Sequence, residues 1–163
     1  MSTTSGQGRR IGPTDESSRL ILGMLPRVTL PPARVVAPGA PAGLVQALSQ
    51  RGYRSIRVET KWDDDSPTSE LVVECGSFAQ LDPASRSAWT DWVTRVVLPG
   101  GYLFGIFPHF DGGGPPYGTS EGELRSRLRS RFEEVLLAPS PGTDPDTGWP
   151  WLRAIYQRRT TSA

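Results

Sequence analysis

The sequence predicts a single α/β domain built on a mostly parallel β-sheet with helices on both faces. Strand and helix patterns alternate from residue 34 to residue 129, and several strand candidates are continuous apolar runs, as expected for strands covered on both faces. Two further apolar runs, separated only by a loop, close the chain. A connection without a helix favours an antiparallel pair at one edge of the sheet.

The first elements follow from capping and apolar spacing. Residues 1–14 are rich in Ser, Thr and Gly and are predicted to be a disordered tail, so the domain is expected to span residues 15–163. An aspartate cap and one apolar face predict a helix over Glu16–Leu25. An apolar run that stops at a Pro-Gly pair predicts a strand over Arg34–Ala37, and a helix is predicted over Gly43–Gln50 before a glycine stop.

The middle of the chain continues the alternation. Arg54–Glu59 and Glu70–Glu74 are predicted strands, and Pro83 opens a helix in which Trp and Val recur at helical spacing. Pro99-Gly100-Gly101 is expected to end that helix before the apolar strand Tyr102–Phe107. Parallel strands joined by helices end at one common edge, where such sheets bind small ligands.

The last third of the chain supplies a loop, a helix and the antiparallel pair. Residues 112–118 are rich in Gly and Pro, and Ser120, with a glutamate three residues later, forms a capping box that opens a helix to about Arg129. Phe132–Ala138 and Trp151–Gln157 are the two closing strands.

Composition argues against several classes of protein. A net charge of +1 gives no global attraction to nucleic acid or to a membrane, and no apolar run is long enough to span a bilayer. The first ten residues lack the apolar segment of a secretory signal, so the cytoplasm is the expected location. One cysteine excludes an intrachain disulfide, and the aspartates at 63–65 match no metal-binding loop, so no metal site is predicted.

A family resemblance lies between Glu70 and Leu124. This stretch carries ELVVECGSFAQLDPASRSAWTDWVTRVVLPGGYLFGIFPH and then GGPPYGTSEGEL, over about a third of the chain. It resembles the thiopurine and halide/thiol methyltransferases, in which a strand ends in an acid, a Pro-initiated helix leads to L-PGG, the next strand ends in FP, and a GPPY loop follows. The resemblance implies the Rossmann-like fold of class I S-adenosylmethionine (SAM) methyltransferases.

The resemblance also implies cofactor-binding positions, with a departure. Pro38, Gly39 and Gly43 match the family's glycine-rich turn, and Glu59 matches the acid that binds the ribose hydroxyls. An alanine and Pro41 stand where the family has Cys and Gly, and Pro41 removes one N–H donor from the turn. For Glu59, a second interpretation stays open, which is a solvated residue at a strand end.

A deletion is implied after the second strand. The family continues there with a helix, a third strand beside the adenine and another helix, whereas here only Lys61–Ser69 lie between Thr60 and Glu70. A parallel crossover alone needs about a dozen residues. The sheet is therefore expected to lack the third strand and its flanking helices, which leaves the second strand as an edge. Covering that edge favours a homo- or hetero-oligomer.

Three residues are predicted to form the catalytic pocket: Glu74, at a strand's carboxyl end, His109, the only histidine, and Tyr117 in the GPPY loop. Asp111 is a candidate acid–base partner for His109. Two of them have a structural alternative: His109 as a structural or solvent-exposed loop residue, and Tyr117 as a plug that holds the loop on the core. Cys75 is interpreted as a buried small residue rather than a nucleophile.

Three hypotheses for function follow, and the sequence leaves open whether the protein is an enzyme. The first is a pseudo-methyltransferase subunit that supports an active partner, such as a full-length methyltransferase, in small-molecule metabolism. The second is a repurposed enzyme of secondary metabolism, a cyclase, isomerase or lyase, that uses the retained pocket without a methyl donor. The third is a minimal SAM-dependent methyltransferase completed by oligomerisation. No cofactor is expected on the chain alone, and SAM only where a partner completes the site. A small-molecule ligand is expected, and neither nucleic acid nor a membrane.

Overall fold

The computed structural model describes residues 15–27, 34–58, 67–144 and 147–160. Its helices are α1 (Asp15–Met24), α2 (Ala42–Gln50), α3 (Arg86–Val96) and α4 (Glu121–Leu128). Its strands are β1 (Arg34–Val36), β2 (Arg54–Arg57), β3 (Ser69–Glu74), β4 (Val97–Pro108), β5 (Phe132–Thr143) and β6 (Pro150–Arg158). Short 3-10 turns cover Leu25–Arg27, Phe78–Gln80 and Pro83–Ser85.

The six strands form one sheet in the order β2-β1-β3-β4-β6-β5. β1 pairs in parallel with β2 and β3, and β3 pairs in parallel with β4. β6 runs antiparallel to β4, and β5 runs antiparallel to β6. The predicted sheet, mostly parallel with an antiparallel C-terminal edge, is confirmed.

Helices cover both faces of the sheet, as predicted. On one face α1 and α2 bury Ile21, Met24, Leu44 and Leu48 against the strands. On the other face α3 and α4 bury a second cluster whose largest members are aromatic: Phe78, Trp89, Trp92, Phe107, Phe132 and Tyr156. The aromatic rings of Phe78, Trp89 and Phe107 pack edge to face, with centroids 4.7–6.4 Å apart. Trp89 and Trp92 are therefore core anchors.

β4 is longer than predicted because it begins before the Pro-Gly-Gly segment. α3 ends at Val96, and Pro99-Gly100-Gly101 lies within the strand rather than in a break. The pairing with β3 shifts register between Ser69 and Leu71, which marks a bulge in this region. A Cβ at Gly101 would lie 2.7 Å from the carbonyl oxygen of Glu70, so the close approach of the two strands requires glycine.

Two other boundaries differ from prediction by more than two residues. Pro83 starts a 3-10 turn, and the α-helix follows only at Arg86. β5 runs to Thr143 rather than Ala138 and so includes two prolines. An edge strand tolerates proline, because its outward N–H groups have no ladder partner to lose.

β2 is an edge of the sheet within the part of the chain that the structure describes. Only residues 58–68 connect it to β3, and the positions at 59–66 lie outside the described residues. Glu59, the aspartates at 63–65 and residues 1–14 belong to the undescribed part. In the described ranges, no helix is both long and apolar enough to cross a membrane.

Candidate functional site

The carboxyl ends of the parallel strands meet at one edge of the sheet, which we call the carboxyl edge. β1 leads there into the turn before α2, β3 leads into the turn at 75–78, and β4 leads into the loop at 109–120. The start of β6 lies beside the end of β4, since Trp151 pairs with Pro108. Three predicted site residues and three predicted cofactor positions therefore occupy the same edge.

Glu74 is fully buried at the end of β3, and its carboxylate accepts hydrogen bonds from four residues. The backbone N–H groups of Gly76 and Phe78 donate to Oε1 at 3.1 and 2.8 Å. The hydroxyl of Ser77 lies 2.6 Å from Oε2, and the indole Nε1–H of Trp89 donates to the same oxygen at 3.0 Å. These bonds fold the turn after β3 around the carboxylate and attach it to α3.

Burial also sets the proton affinities in this turn. Loss of hydration raises the pKa of the Glu74 carboxyl, and the hydrogen bonds from Ser77, Phe78, Trp89 and Gly76 oppose that rise. Burial, and then the nearby charge of Glu74, raise the pKa of the Cys75 thiol far above its usual range. Cys75 is thus a buried thiol with little thiolate character, which confirms its interpretation as a packing residue.

The turn between β1 and α2 is the predicted cofactor turn. Pro38 is buried, whereas Gly39 and Gly43 are exposed. Gly39 has a φ of +68°, a left-handed conformation that favours glycine. A Cβ at either glycine would meet no atom within 4 Å, so open space lies in front of both. Pro41 is the N-cap of α2, with a φ of −69° and no side-chain bond to the helix, so the turn has fewer N–H donors than a glycine would leave.

His109 follows β4 and is held in a defined orientation. Its backbone N–H donates to the carbonyl of Pro150 at 2.8 Å, and its ring Nδ1 lies 2.9 Å from the carbonyl oxygen of Thr119. A carbonyl only accepts, so Nδ1 carries a proton and donates it to Thr119, and Nε2 is the ring nitrogen that this bond leaves available. Asp111 is exposed and makes no hydrogen bond with His109, so Thr119 rather than Asp111 orients the ring.

Tyr117 is attached to the core through its backbone. Its N–H donates to the carbonyl of Ala79 at 2.7 Å, and its own carbonyl accepts from Nη2 of Arg86 at 3.2 Å. Arg86 is buried, stacks over the ring of Phe78 at 4.2 Å, and also forms an ion pair with Glu123 at 2.7 Å. The segment that presents the Tyr117 ring is therefore fixed from two sides.

The capping box before α4 is only half formed. The Ser120 hydroxyl accepts from the N–H of Glu123 at 3.1 Å, as predicted. The Glu123 carboxylate, instead of returning to the N-cap, pairs with Arg86 and with Arg127. The buried guanidinium of Arg86 competes for the carboxylate because it has few other acceptors.

Aromatic residues missed in the sequence analysis border the 109–120 loop. Phe110 stacks on Trp149, with ring centroids 4.0 Å apart and planes 17° apart, which joins this loop to the loop before β6. A cavity of about 20 Å³ lies between Pro108, Pro116, Trp149 and Trp151. The indole N–H of Trp151 is buried and has no hydrogen-bond partner among the described residues. In the sequence, only the two tryptophans in the 149–151 segment could have indicated this aromatic border.

The predicted residues thus share one edge without forming one constellation. The side chains of Glu74, His109 and Tyr117 make no hydrogen bond with one another. Glu74 lies inside the turn after β3, whereas His109 lies in the loop after β4. No group of three or more His, Cys, Asp or Glu residues in the described ranges is placed to hold a metal ion.

Comparison with known structures identifies the fold. The chain superposes with a TM-score of 0.67 on the Burkholderia thailandensis 1,6-didemethyltoxoflavin-N1-methyltransferase with bound 1,6-didemethyltoxoflavin and S-adenosylhomocysteine (SAH), at 16% identity over 87% of this chain and 76% of that one. The N-methyltransferase NodS from Bradyrhizobium japonicum in complex with SAH gives 0.62 at 14% identity, over 86% and 82%. A SAM-dependent methyltransferase from Methanosarcina mazei gives 0.63 at 12% identity, over 85% and 98%.

These similarities show the fold of class I SAM methyltransferases, as the sequence resemblance implied. No protein-family model and no curated protein matches the sequence. The narrower resemblance to thiopurine and halide/thiol methyltransferases stays a prediction, because identities of 12–16% establish architecture only.

We predict that Glu74→Gln lowers the free energy of unfolding by about 2 kcal/mol, or roughly 4–8 °C in Tm. The glutamine side chain can turn its amide oxygen to the N–H groups of Gly76 and Phe78. Its NH₂ group then faces the indole N–H of Trp89, and two donors cannot form a hydrogen bond. Urea denaturation measures the change. Glu70→Gln on the same strand is the control, since Glu70 makes a surface ion pair with Arg34 and should change stability by less than about 1 kcal/mol. Equal effects of the two variants would contradict the role of Glu74.

We predict that Gly118→Ala destabilises the loop by about 1–3 kcal/mol. A Cβ at Gly118 would overlap the carbonyl oxygen of Phe110, so the backbone would have to move. Gly113→Ala, in the same loop, meets no atom within 4 Å and should stay within about 0.5 kcal/mol of the parent. Thermal unfolding compares the two variants, and near-ultraviolet circular dichroism follows the Phe110–Trp149 stack. A Gly118→Ala protein as stable as Gly113→Ala would show that the close approach is dispensable.

Proposed function

We propose that this chain is a degenerate methyltransferase-like protein of small-molecule metabolism that supports an active methyltransferase rather than methylating alone. The observation that carries the proposal is the connection between β2 and β3. It has only residues 58–68, whereas a helix–strand–helix unit that walls the adenine needs far more chain. The fold supports a methyltransferase ancestry, and two of the structural neighbours hold SAH.

The carboxyl edge fits one half of SAM better than the other. Gly39, left-handed and facing open space, together with Gly43, provides a turn that a ligand's methionine and ribose groups could approach closely. Pro41 takes one N–H donor from that turn, and the adenine side has no wall among the described residues. Glu59, the proposed ribose ligand, lies outside the described residues. The chain therefore fits SAM only in part, and we derive no methyl-transfer step through it.

A partner chain would supply what this chain lacks. Among the described residues, one side of β2 has no neighbouring strand, and such an edge accepts a strand or a loop from another chain. A homo- or hetero-oligomer formed there would cover the edge of β2 and, through the same interface, complete the adenine wall. In that assembly SAM would bind at the shared site.

The loop side of the carboxyl edge supports binding of a small molecule. The fixed orientation of His109 leaves Nε2 as a base, and the indole N–H of Trp151 is a donor without a partner among the described residues. Rigid presentation of Tyr117 by Arg86 and Ala79 lowers the entropic cost of holding an aromatic ring against a ligand. Glu74 contributes by fixing the turn on which Phe78 and Ala79 sit.

A repurposed enzyme without a methyl donor is the second candidate, and the orientation of His109 favours it. An imidazole whose Nδ1 donates to a carbonyl rather than to a carboxylate presents Nε2 as its other nitrogen, an arrangement that suits proton transfer in an isomerase, cyclase or lyase. The two candidates differ in whether a partner methyltransferase is needed.

Calorimetry with SAM and SAH on the isolated chain tests the main proposal. We predict a Kd weaker than about 1 mM, since the adenine wall is missing and Pro41 lacks an N–H. Light scattering should show self-association, or co-purification should recover a class I methyltransferase whose turnover rises when this chain is added. Low-micromolar SAM binding by a monomer would instead indicate an ordinary methyltransferase. A monomer with neither SAM binding nor effect on a methyltransferase would favour the repurposed enzyme.

We predict that His109→Asn and Tyr117→Ala each weaken small-molecule binding, or support of the partner's turnover, by about tenfold. The asparagine Nδ2 can still donate to the carbonyl of Thr119, so the variant removes the basic nitrogen while keeping the structural bond. Tyr117→Ala removes only the ring, because the contacts that hold this segment come from its backbone. Asp111→Asn, an exposed change in the same loop, is the control and should leave both readouts unchanged. Full activity in both test variants would show that this loop is not the pocket.

A further inference from the structure

A second cleft, of about 340 Å³, lies at the opposite edge of the sheet from the carboxyl edge. The C-terminal half of α3, the last turn of α4 with the residues that follow it, and the end of β6 form its walls. Its charged lining consists of Arg95, Arg127, Arg131 and Arg158 with a single acid, Asp91. These arginines come from three separate regions of the chain, around residues 95, 127–131 and 158, so only the fold assembles the cleft.

Two of the four guanidinium groups have an acidic neighbour within reach. Arg127 pairs with Glu123 at 2.9 Å, outside the cleft. Asp91 precedes Arg95 by four residues on α3, a spacing at which helical side chains face each other. The charges of these two arginines can therefore be balanced within the protein.

Arg131 and Arg158 have no acidic side chain among the described residues that balances their charge. The guanidinium of Arg158 donates Nε–H to the carbonyl of Thr94 at 3.1 Å and Nη1–H to the carbonyl of Arg131 at 3.2 Å, and neither acceptor carries a full negative charge. The side chain of Arg131 makes no ion pair with the described residues. Partial burial and then the charge of Arg131 lower the pKa of Arg158, in keeping with two crowded cations.

Stabilisation of a helix end explains only part of this arrangement. The bond from Arg158 to Thr94 satisfies a carbonyl in the last turn of α3, where a cation is favourable. This hydrogen bond does not explain the position of the Nη2 group of Arg158 or of the guanidinium group of Arg131. Two neighbouring guanidinium groups in one cleft repel each other unless an anion lies between them.

We propose that this cleft binds the dianionic phosphate group of a small phosphorylated molecule. Two unbalanced guanidinium groups match the charge of a phosphate monoester, and their forked donors suit its oxygens. The volume is at the lower end of that of small-ligand pockets. Thr90 also lines the cleft and adds to its polar wall, which suits an ionic group better than an apolar one. The site is separate from the carboxyl edge and independent of the function proposed there.

Calorimetry at constant ionic strength tests the proposal with inorganic phosphate, pyrophosphate and ribose 5-phosphate, and with a short DNA duplex. We expect wild-type protein to bind ribose 5-phosphate or pyrophosphate with a Kd below about 1 mM. Tighter binding of ribose 5-phosphate than of inorganic phosphate would identify a phosphorylated metabolite rather than the free ion. Absence of binding by all three phosphates, or binding of the DNA duplex alone, would overturn the proposal.

Variants of one turn separate a built site from general positive charge. Arg131→Ala should weaken binding of the phosphate probe about tenfold, since it removes one exposed guanidinium that no described residue holds by its side chain. Arg129→Ala is the matched control, because this arginine lies in the same turn and does not line the cleft. It should change affinity by less than about twofold. Equal losses in the two variants would show non-specific attraction and contradict the site.

Discussion

The buried carboxylate of Glu74 is the contact on which the carboxyl edge depends. It gathers the N–H groups of the turn after β3 and the indole of Trp89, which joins the sheet to α3. The turn then places Ala79, whose carbonyl holds the backbone of Tyr117. α3 in turn presents Arg86, which holds the same segment from the other side and pairs with Glu123 of α4. One acid at a strand end thus positions a helix, a turn and the loop of the candidate pocket.

This arrangement gives Glu74 a supporting role. A carboxylate with four donors and no exposure is well suited to holding backbone in place and poorly placed to meet a substrate. The groups at the same edge that this network leaves available are Nε2 of His109, the ring of Tyr117 and the indole N–H of Trp151. In many proteins, buried charges of this kind define one local conformation at a cost in desolvation, and the dense hydrogen bonding here offsets that cost.

The two edges of the sheet differ in chemistry. The carboxyl edge is bordered by prolines, glycines and aromatic rings. The outermost strand on one side of the sheet, β2, has no neighbour on its outer side among the described residues. The opposite edge is bordered by arginines from three elements.

Local patterns in the sequence determined the order and type of the elements, the antiparallel finish and the cap at Ser120, because apolar spacing and capping act within a few residues. The strand that ends in Glu74 and the burial of Cys75 could be predicted from the sequence for the same reason. The tertiary structure alone decided that Trp89 satisfies Glu74, that Arg86 takes Glu123 from its capping box, and that Thr119 orients His109. It also decided that Pro99-Gly100-Gly101 extends β4, since pairing with β3 outweighs the turn preference of Pro and Gly. The arginine cleft joins residues from 90 to 158, and contacts over such separations depend on packing that no local pattern encodes.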